Sequence, residues 1–375
     1  MIDGKQAIAI VGCGGMGSGH AYALGGKGGY TGEDGYSSYN VGQKKMGDLQ
    51  ERIVLTGIRD IDPAREAWAR ENGFYVYPSF EAVLEDTRVD VVLIAVPNHL
   101  HKEMALAALA AGKHVLCEKP VMMNAKDLEE VIAAAKAANR VFYPRQNRRW
   151  DRDFLMIKKL YEEQTLGKAF CLESRVLGSR GIPGDWRGKK EFGGGMMLDW
   201  GVHLLDRLLW MLPGKVSKVF CRLTNVTNDE VDDGFQMHLV MDDGLDVVVE
   251  VGTCNFIGKQ LWYLAGDKGT AVIYDWECSG KVCLLKSWED KDVKPILAGE
   301  GLTKTMAPRA GGGSVEELPL PDIEVDRDAL YRNVADVIEG KAEQIVKPEE
   351  ALRVLRVMEA AMESHRTGKV IDFNA

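Results

Sequence analysis

The residues with the clearest chemical signature stand near the N-terminus. Gly12-Cys13-Gly14-Gly15-Met16-Gly17 follows the apolar run Ile8-Ala9-Ile10-Val11 and precedes Ser18 to Leu24, which has helical character. A G-x-G-x-x-G set between a strand and a helix is suited to holding the phosphates of a dinucleotide. Gly12 permits the tight turn, Gly14 lets the backbone approach a pyrophosphate, and Gly17 lets the helix lie close on the sheet. The pyrophosphate then rests on the free N–H groups and positive dipole end of the new helix, which brings in Gly15 and Met16.

A second strand, Ile53 to Ile58, ends in Arg59-Asp60. A carboxylate there accepts hydrogen bonds from the adenosine ribose and repels a 2′-phosphate, which favours NAD. Arg59 is the residue type that accommodates a 2′-phosphate, so NADP stays open. Asp60 lies 43 residues beyond Gly17, against ~20 in the usual fingerprint. The excess is the stretch Gly25 to Asp48, with eight glycines and with Tyr30, Tyr36 and Tyr39, which reads as a surface insertion between helix and strand.

Two further sets carry reactive side chains. Glu118-Lys119-Pro120 follows the buried-type strand Val115-Leu116-Cys117, and the proline restricts Lys119 to extended backbone. Partial burial beside a cationic nicotinamide would depress the lysine pKa toward ~7–8. Gly193-Gly194-Gly195 precedes Asp199 and His203, whose spacing of four places them on one helix face. A carboxylate one turn from an imidazole orients the ring and raises its pKa. Asp206 continues that stripe, with Leu198, Val202, Leu205 and Leu209 on the buried side. The three glycines would let a ligand come close to the helix start.

These residues need strands to place them. Val89 to Val96 is a near-continuous apolar run ended by Pro97-Asn98-His99-Leu100-His101, and strands alternate with helices as far as Val141-Phe142-Tyr143. Such a rhythm builds a doubly wound parallel sheet, an α/β Rossmann unit over 1–144. Gly12 to Gly17, Asp60, Pro97, Asn98, His101, Glu118 and Lys119 all fall at carboxyl ends of its strands, where ligands lie. From Arg145 strands dominate. Phe235, Met237, Leu239 and Met241 alternate before the hairpin signal Asp242-Asp243-Gly244. Residues 145–375 therefore read as an α+β domain with a mostly antiparallel open sheet.

Composition narrows the class. The chain has 375 residues, 46% hydrophobic and 27% charged, with 41 glycines and a net charge of −9, which excludes collagen-like and disordered chains and argues against nucleic-acid or anionic-membrane binding. Its apolar runs fall short of the ~20 residues that span a bilayer. The run into the first strand shows no basic, apolar and small-residue leader pattern, so we expect no secretory leader, and Cys13, Cys117, Cys171, Cys221, Cys254, Cys278 and Cys283 are odd in number and scattered. We expect a cytoplasmic protein with reduced thiols and no metal site.

Together, Gly12-x-Gly14-x-x-Gly17, Glu118-Lys119-Pro120 and Gly193-Gly194-Gly195-x-x-x-Asp199-x-Gly201-x-His203 resemble the glucose-fructose oxidoreductase / inositol dehydrogenase / MocA family of NAD(P)-dependent oxidoreductases. The resemblance runs over nearly the whole chain. It implies that Lys119, Asp199 and His203 surround a hydroxyl being oxidised. It also implies that Arg148, Trp186, Arg187, Trp200 and Tyr143 lie near the substrate cleft, and that the open sheet face serves a homodimer or homotetramer. The substrate class so implied is a sugar, glycoside or polyol, with Lys119 or His203 as the base. Three functions follow from this reading: a dehydrogenase, including one that keeps its nucleotide bound and oxidises carbon 3 of a glycoside; a glycosidase or lyase working through transient oxidation; and a non-catalytic nucleotide-binding regulator.

Overall fold

The computed structural model describes residues 1–26, 49–287, 294–306, 314–326 and 328–373. The expected insertion at 25–48 lies almost entirely outside the described residues.

The first sheet has five parallel strands in the order β2-β1-β3-β4-β5: β1 (Gln6–Val11), β2 (Ile53–Arg59), β3 (Val91–Ile94), β4 (His114–Glu118) and β5 (Phe142–Arg145). Both faces are covered, which is why β1 and β3 are apolar at successive positions and buried throughout. The chain leaves β1 for β2 on one side and returns to β3 on the other. The carboxyl ends of β1 and β3 therefore flank the crevice where such sheets take ligands. The helices are α1 (Gly15–Leu24), α2 (Leu49–Arg52), α3 (Pro63–Glu71), α4 (Phe80–Glu85), α5 (His101–Ala110) and α6 (Ala125–Ala138). Caps fix where several begin: the side chains of Asp62, Ser79 and Asn124 accept from the backbone N–H groups of Ala64, Ala82 and Asp127.

The second sheet has nine strands. In chain order they are β6 (Ala169–Leu177), β7 (Val216–Thr224), β8 (Gly234–Met241), β9 (Asp246–Gly252), β10 (Trp262–Gly266), β11 (Gly269–Ile273), β12 (Gly280–Leu285), β15 (Val315–Leu318) and β16 (Ile371–Asp372). Their order across the sheet is β15-β12-β11-β10-β6-β9-β8-β7-β16, antiparallel apart from the β6–β9 pair. A separate hairpin pairs β13 (Ile296–Gly299) with β14 (Leu302–Lys304). The expected turn at Asp242-Asp243-Gly244 closes β8 on β9, with Gly244 at a φ of 88°.

Helices α7 (Arg152–Glu162), α8 (Val202–Met211) and α10 (Pro348–Thr367) share one hydrophobic core with the second sheet. Helix α9 (Ala329–Ile338) instead returns to the first sheet, where Leu330, Tyr331, Val334 and Ala335 join the core around Ile8, Ile10 and Leu93. The far end of the chain thus builds part of the floor under the N-terminal crevice.

Candidate active site

Gly12 and Gly17 are required by the protein's own packing. A β-carbon on Gly12 would lie 2.4 Å from the Ala95 carbonyl oxygen, and one on Gly17 would lie 1.9 Å from that of Gly12. At Gly14 and Gly15 a β-carbon would meet nothing within 4 Å. The fold leaves that space open above the N-terminus of α1, whose first N–H groups have no intrahelical partner. This is the arrangement a pyrophosphate fits, and it separates two effects that one motif combines. Gly14→Val is expected to weaken nucleotide binding by at least about 10-fold with a melting temperature within about 2 °C of the parent, whereas Gly17→Ala should lower the melting temperature by several degrees. Calorimetric titration and thermal unfolding of the two variants check this.

Asp60 stands at the end of β2 and accepts from the backbone N–H groups of Cys13 at 2.5 Å and Asp62 at 2.9 Å. A carboxylate has about four lone-pair sites, so capacity for ribose hydroxyls remains. Arg59 is held by Glu66 and by the Asp60 carbonyl. Both contacts use Nη1, and they hold the guanidinium against Glu66.

At the end of β3, Pro97 is half-buried, and Asn98 donates from Nδ2 to the Gly193 carbonyl at 2.7 Å, tying the crevice to the second half of the chain. His101 corrects the expectation placed on it. Its ring is fully buried, with Nδ1 2.9 Å from the Pro120 carbonyl and Nε2 2.9 Å from that of Val96, so it shapes the loop from inside. Tyr143 is likewise fully buried and donates to Asn333 Oδ1 at 2.6 Å within the first sheet's core, so its side chain does not line the cleft as expected.

Lys119 reaches across the cleft. Its Nζ donates to Asp199 Oδ1 at 2.7 Å and to the Asp199 carbonyl at 2.9 Å. The Lys119–Pro120 peptide is cis. Asp199 also meets Arg187 Nε at 3.4 Å. Burial pushes the Asp199 carboxyl up, but Lys119 and then Arg187 outweigh it and hold the pKa below the usual value. An ammonium has three N–H donors, so Lys119 retains one for a substrate oxygen.

Asp199 and His203 do not act as the expected helical pair. Residues Met197–Gly201 form a π turn before α8, and this wider turn breaks the i, i+4 stacking on which the expectation rested. Asp199 turns to Lys119 and Arg187, and His203 Nδ1 is buried with no hydrogen-bond partner. The direction of the imidazole's shift is therefore opposite to the expected one. Burial first, then the cations Lys119 and Arg148, holds the His203 pKa well below its ordinary value. The unfolded chain takes up a proton near pH 6.5 that the folded chain refuses, so this residue's contribution to stability falls as pH drops below that point. Compared with the parent, His203→Asn should gain up to about 1.4 kcal/mol of relative stability per pH unit below about 6.5, read by denaturant unfolding at pH 7.5, 6.5 and 5.5.

The glycines before this helix serve packing between chain segments. A β-carbon would strike Met123 Sδ at 2.6 Å from Gly193, the Arg187 carbonyl at 2.2 Å from Gly194 and Asp232 Oδ1 at 2.4 Å from Gly195. Asp232, absent from the sequence reading, fixes the helix start by accepting from Met197 N–H at 2.7 Å. Asp206 and Arg149 are also buried: two guanidinium nitrogens of Arg149 meet the Asp206 carboxylate at 2.6 and 2.8 Å.

Aromatic rings and guanidinium groups flank the reactive trio. The Trp200 ring lies 5.9 Å from that of His203, edge to face, and Arg148 Cζ sits 4.4 Å over Trp200 and 5.6 Å from Trp276. Arg148 is fixed by Asp151 at 2.7 Å. Trp186 stacks under Arg187 at 4.6 Å, one residue from the group that meets Asp199. Trp276, in the turn after β11, offered no local signal in the sequence. Glu118 is buried and serves as a hub for other side chains, described below.

Comparison with known proteins agrees with this architecture. Residues 7–145 match the family model described as an oxidoreductase family with an NAD-binding Rossmann fold, and residues 154–272 match the GFO/IDH/MocA C-terminal domain. The chain belongs to the Gfo/Idh/MocA family of NAD(P)-dependent oxidoreductases. A solved NAD-binding protein from Listeria innocua is 40% identical, with a TM-score of 0.83 over 98% of this chain and 97% of that one. The scyllo-inositol 2-dehydrogenase (NADP(+)) IolW of Bacillus subtilis is 27% identical over 298 residues, 79% of this chain and 82% of its own. The 1,5-anhydro-D-fructose reductase of Ensifer adhaerens is 35% identical over 151 residues, 39% of this chain and 45% of its own. Among the described residues no helix is long and apolar enough to cross a membrane.

Proposed function

We propose that this protein oxidises a secondary hydroxyl of a sugar, glycoside or polyol, or runs the reverse reduction, with NAD as the favoured nucleotide. One observation carries the reading. Lys119 Nζ meets Asp199 beside a buried, neutral His203 whose Nδ1 is unpartnered, at the end of β4 in the sheet that carries the glycine turn. Nicotinamide, when bound, supplies the hydride acceptor. Asp199 holds Lys119, whose remaining N–H donates to the substrate oxygen, and His203 Nδ1 takes the hydroxyl proton. Relatives named for inositol and anhydrofructose chemistry support the substrate class. The placement of Asp60 at the end of β2, and the Glu66 carboxylate beside Arg59, support NAD over NADP.

Trp200, Trp186 and Arg148 line the substrate side, where aromatic faces suit the apolar face of a sugar ring. The sheet's open face, with the row Phe220, His238, Val248, Glu173, Tyr263 and Val272 in register, is the proposed surface for a homodimer or homotetramer.

The testing experiment titrates purified protein with NAD and NADP, then adds sugars, polyols and glycosides and follows reduced nicotinamide together with products. Net reduction of NAD supports the reading. Glycosidic cleavage without net redox replaces it with an eliminating glycosidase, and bound nucleotide with neither outcome replaces it with a regulator.

A further inference from the structure

Outside the reactive trio, the described residues contain one buried polar network that touches both the nucleotide helix and the strand end bearing Lys119. His20, on α1 three residues beyond Gly17 of the glycine motif, is 2% exposed. Its Nε2 lies 2.7 Å from Glu118 Oε1, and its Nδ1 lies 2.5 Å from the Tyr331 hydroxyl on α9. Glu118 Oε1 also receives Arg145 Nη1 at 2.8 Å from the end of β5, and Glu118 Oε2 accepts the backbone N–H of Lys119 at 3.1 Å. Thus α1 and the ends of β4 and β5 converge on one carboxylate, and α9 reaches it through His20.

The proton positions follow from the chemistry. Burial pushes the Glu118 carboxyl up, but Arg145 and His20 pull it down to about 2, so it is an acceptor only. Burial, then Arg145, lowers the His20 pKa, so the ring is neutral. Nε2 must therefore carry the hydrogen it gives to Glu118, and Nδ1 must accept from Tyr331. The ring is fixed at both nitrogens, and through it the carboxylate that holds the Lys119 amide is fixed relative to α1.

We propose that His20, oriented by Tyr331, is a positioning residue that sets Lys119 in register with the nucleotide helix through Glu118. The inference rests on the reading of Lys119 as a substrate-oxygen ligand. It assigns to His20 a role in turnover distinct from nucleotide affinity, because the network lies behind α1 and leaves the open space at Gly14 and Gly15 untouched. A carboxylate freed to rotate moves the lysine backbone, and displacement of a catalytic group by about 1 Å costs up to about 100-fold in rate.

The test compares His20→Ala, His20→Leu, His20→Gln and Tyr331→Phe. Glutamine places an N–H where Nε2 stood, while leucine fills the space without a donor. The expected result is a fall in kcat of about 10- to 100-fold for His20→Ala and His20→Leu, NAD affinity within about threefold of the parent, and recovery to within about fivefold for His20→Gln. Tyr331→Phe, which removes one oxygen, carries the test should both of the larger losses prevent folding, and its kcat should fall with NAD affinity held. Equal rates for His20→Gln and His20→Leu, or nucleotide affinity falling with kcat unchanged, would overturn the proposal.

A second readout needs no turnover. Lysines are reductively methylated with ¹³C-formaldehyde, and the Lys119 resonance is assigned by its absence in Lys119→Arg. It should be displaced in His20→Ala and His20→Leu and native-like in His20→Gln. An unmoved resonance in all variants overturns the proposal. If the parent binds NAD yet oxidises no alcohol, the oxidoreductase reading fails, and this resonance still decides the link between His20 and Lys119.

Discussion

Lys119→Ala is expected to lower kcat by about 10²- to 10⁴-fold while NAD affinity stays within about threefold. The separation follows from geometry. The nucleotide phosphates are assigned to the turn after β1 and the start of α1, where the open space at Gly14 and Gly15 lies. Lys119 instead spends its donors on Asp199 and on the cleft. Removing it leaves Asp199 with Arg187 as its remaining ion-pair partner, so part of the loss is a carboxylate no longer held in place. Lys119→Arg should recover little, because a planar fork on a longer stem does not reproduce a compact ammonium in contact with Asp199. Steady-state kinetics beside calorimetric NAD titration checks the prediction, and near-native turnover in Lys119→Ala would remove the lysine from the chemistry.

The second large effect is on His203. His203→Asn is expected to lower kcat by about 10²- to 10³-fold, the loss that removal of the proposed general base would bring. The sequence left Lys119 and His203 as competing bases. The proposed division of labour gives the substrate oxygen to Lys119, an ion-pair donor, and the proton to His203, whose buried Nδ1 has no hydrogen-bond partner. Two groups serving one proton and hydride event act as a unit, so their losses should not add. The double variant Lys119→Ala/His203→Asn should be within about tenfold of the slower single variant. Full additivity would mean that the two residues serve separate steps.

The features legible in the sequence are those with local causes. A continuous apolar run such as Val91–Ile94 announces a strand buried on both faces, and Asp242-Asp243-Gly244 between alternating runs announces a hairpin. The glycine turn was legible too, although only the structure separates Gly12 and Gly17, needed for packing, from Gly14 and Gly15, which face open space. The features that escaped have distant or geometric causes. Tyr143 took its place from Asn333, 190 residues further on, and His20 from Glu118, 98 residues further on. No spacing rule reaches that far. The Asp199–His203 pair was misjudged for a different reason: spacing of four implies a shared face only on an α-helix, and the chain makes a π turn there. Asp206, which continues the polar stripe in the sequence, is instead buried against Arg149, which Glu350 and the Ile345 carbonyl also hold.

The most direct measurement of the central claim is the fate of the carbinol hydrogen. The protein is incubated with NAD and a panel of sugars and polyols deuterated at their carbinol carbons, and the nucleotide is recovered for mass analysis. Reduced nucleotide carrying the substrate's deuterium, lost in Lys119→Ala and His203→Asn, is the result predicted here. Bound NAD that is never reduced by any member of the panel, or reduced nucleotide without the label, would contradict it.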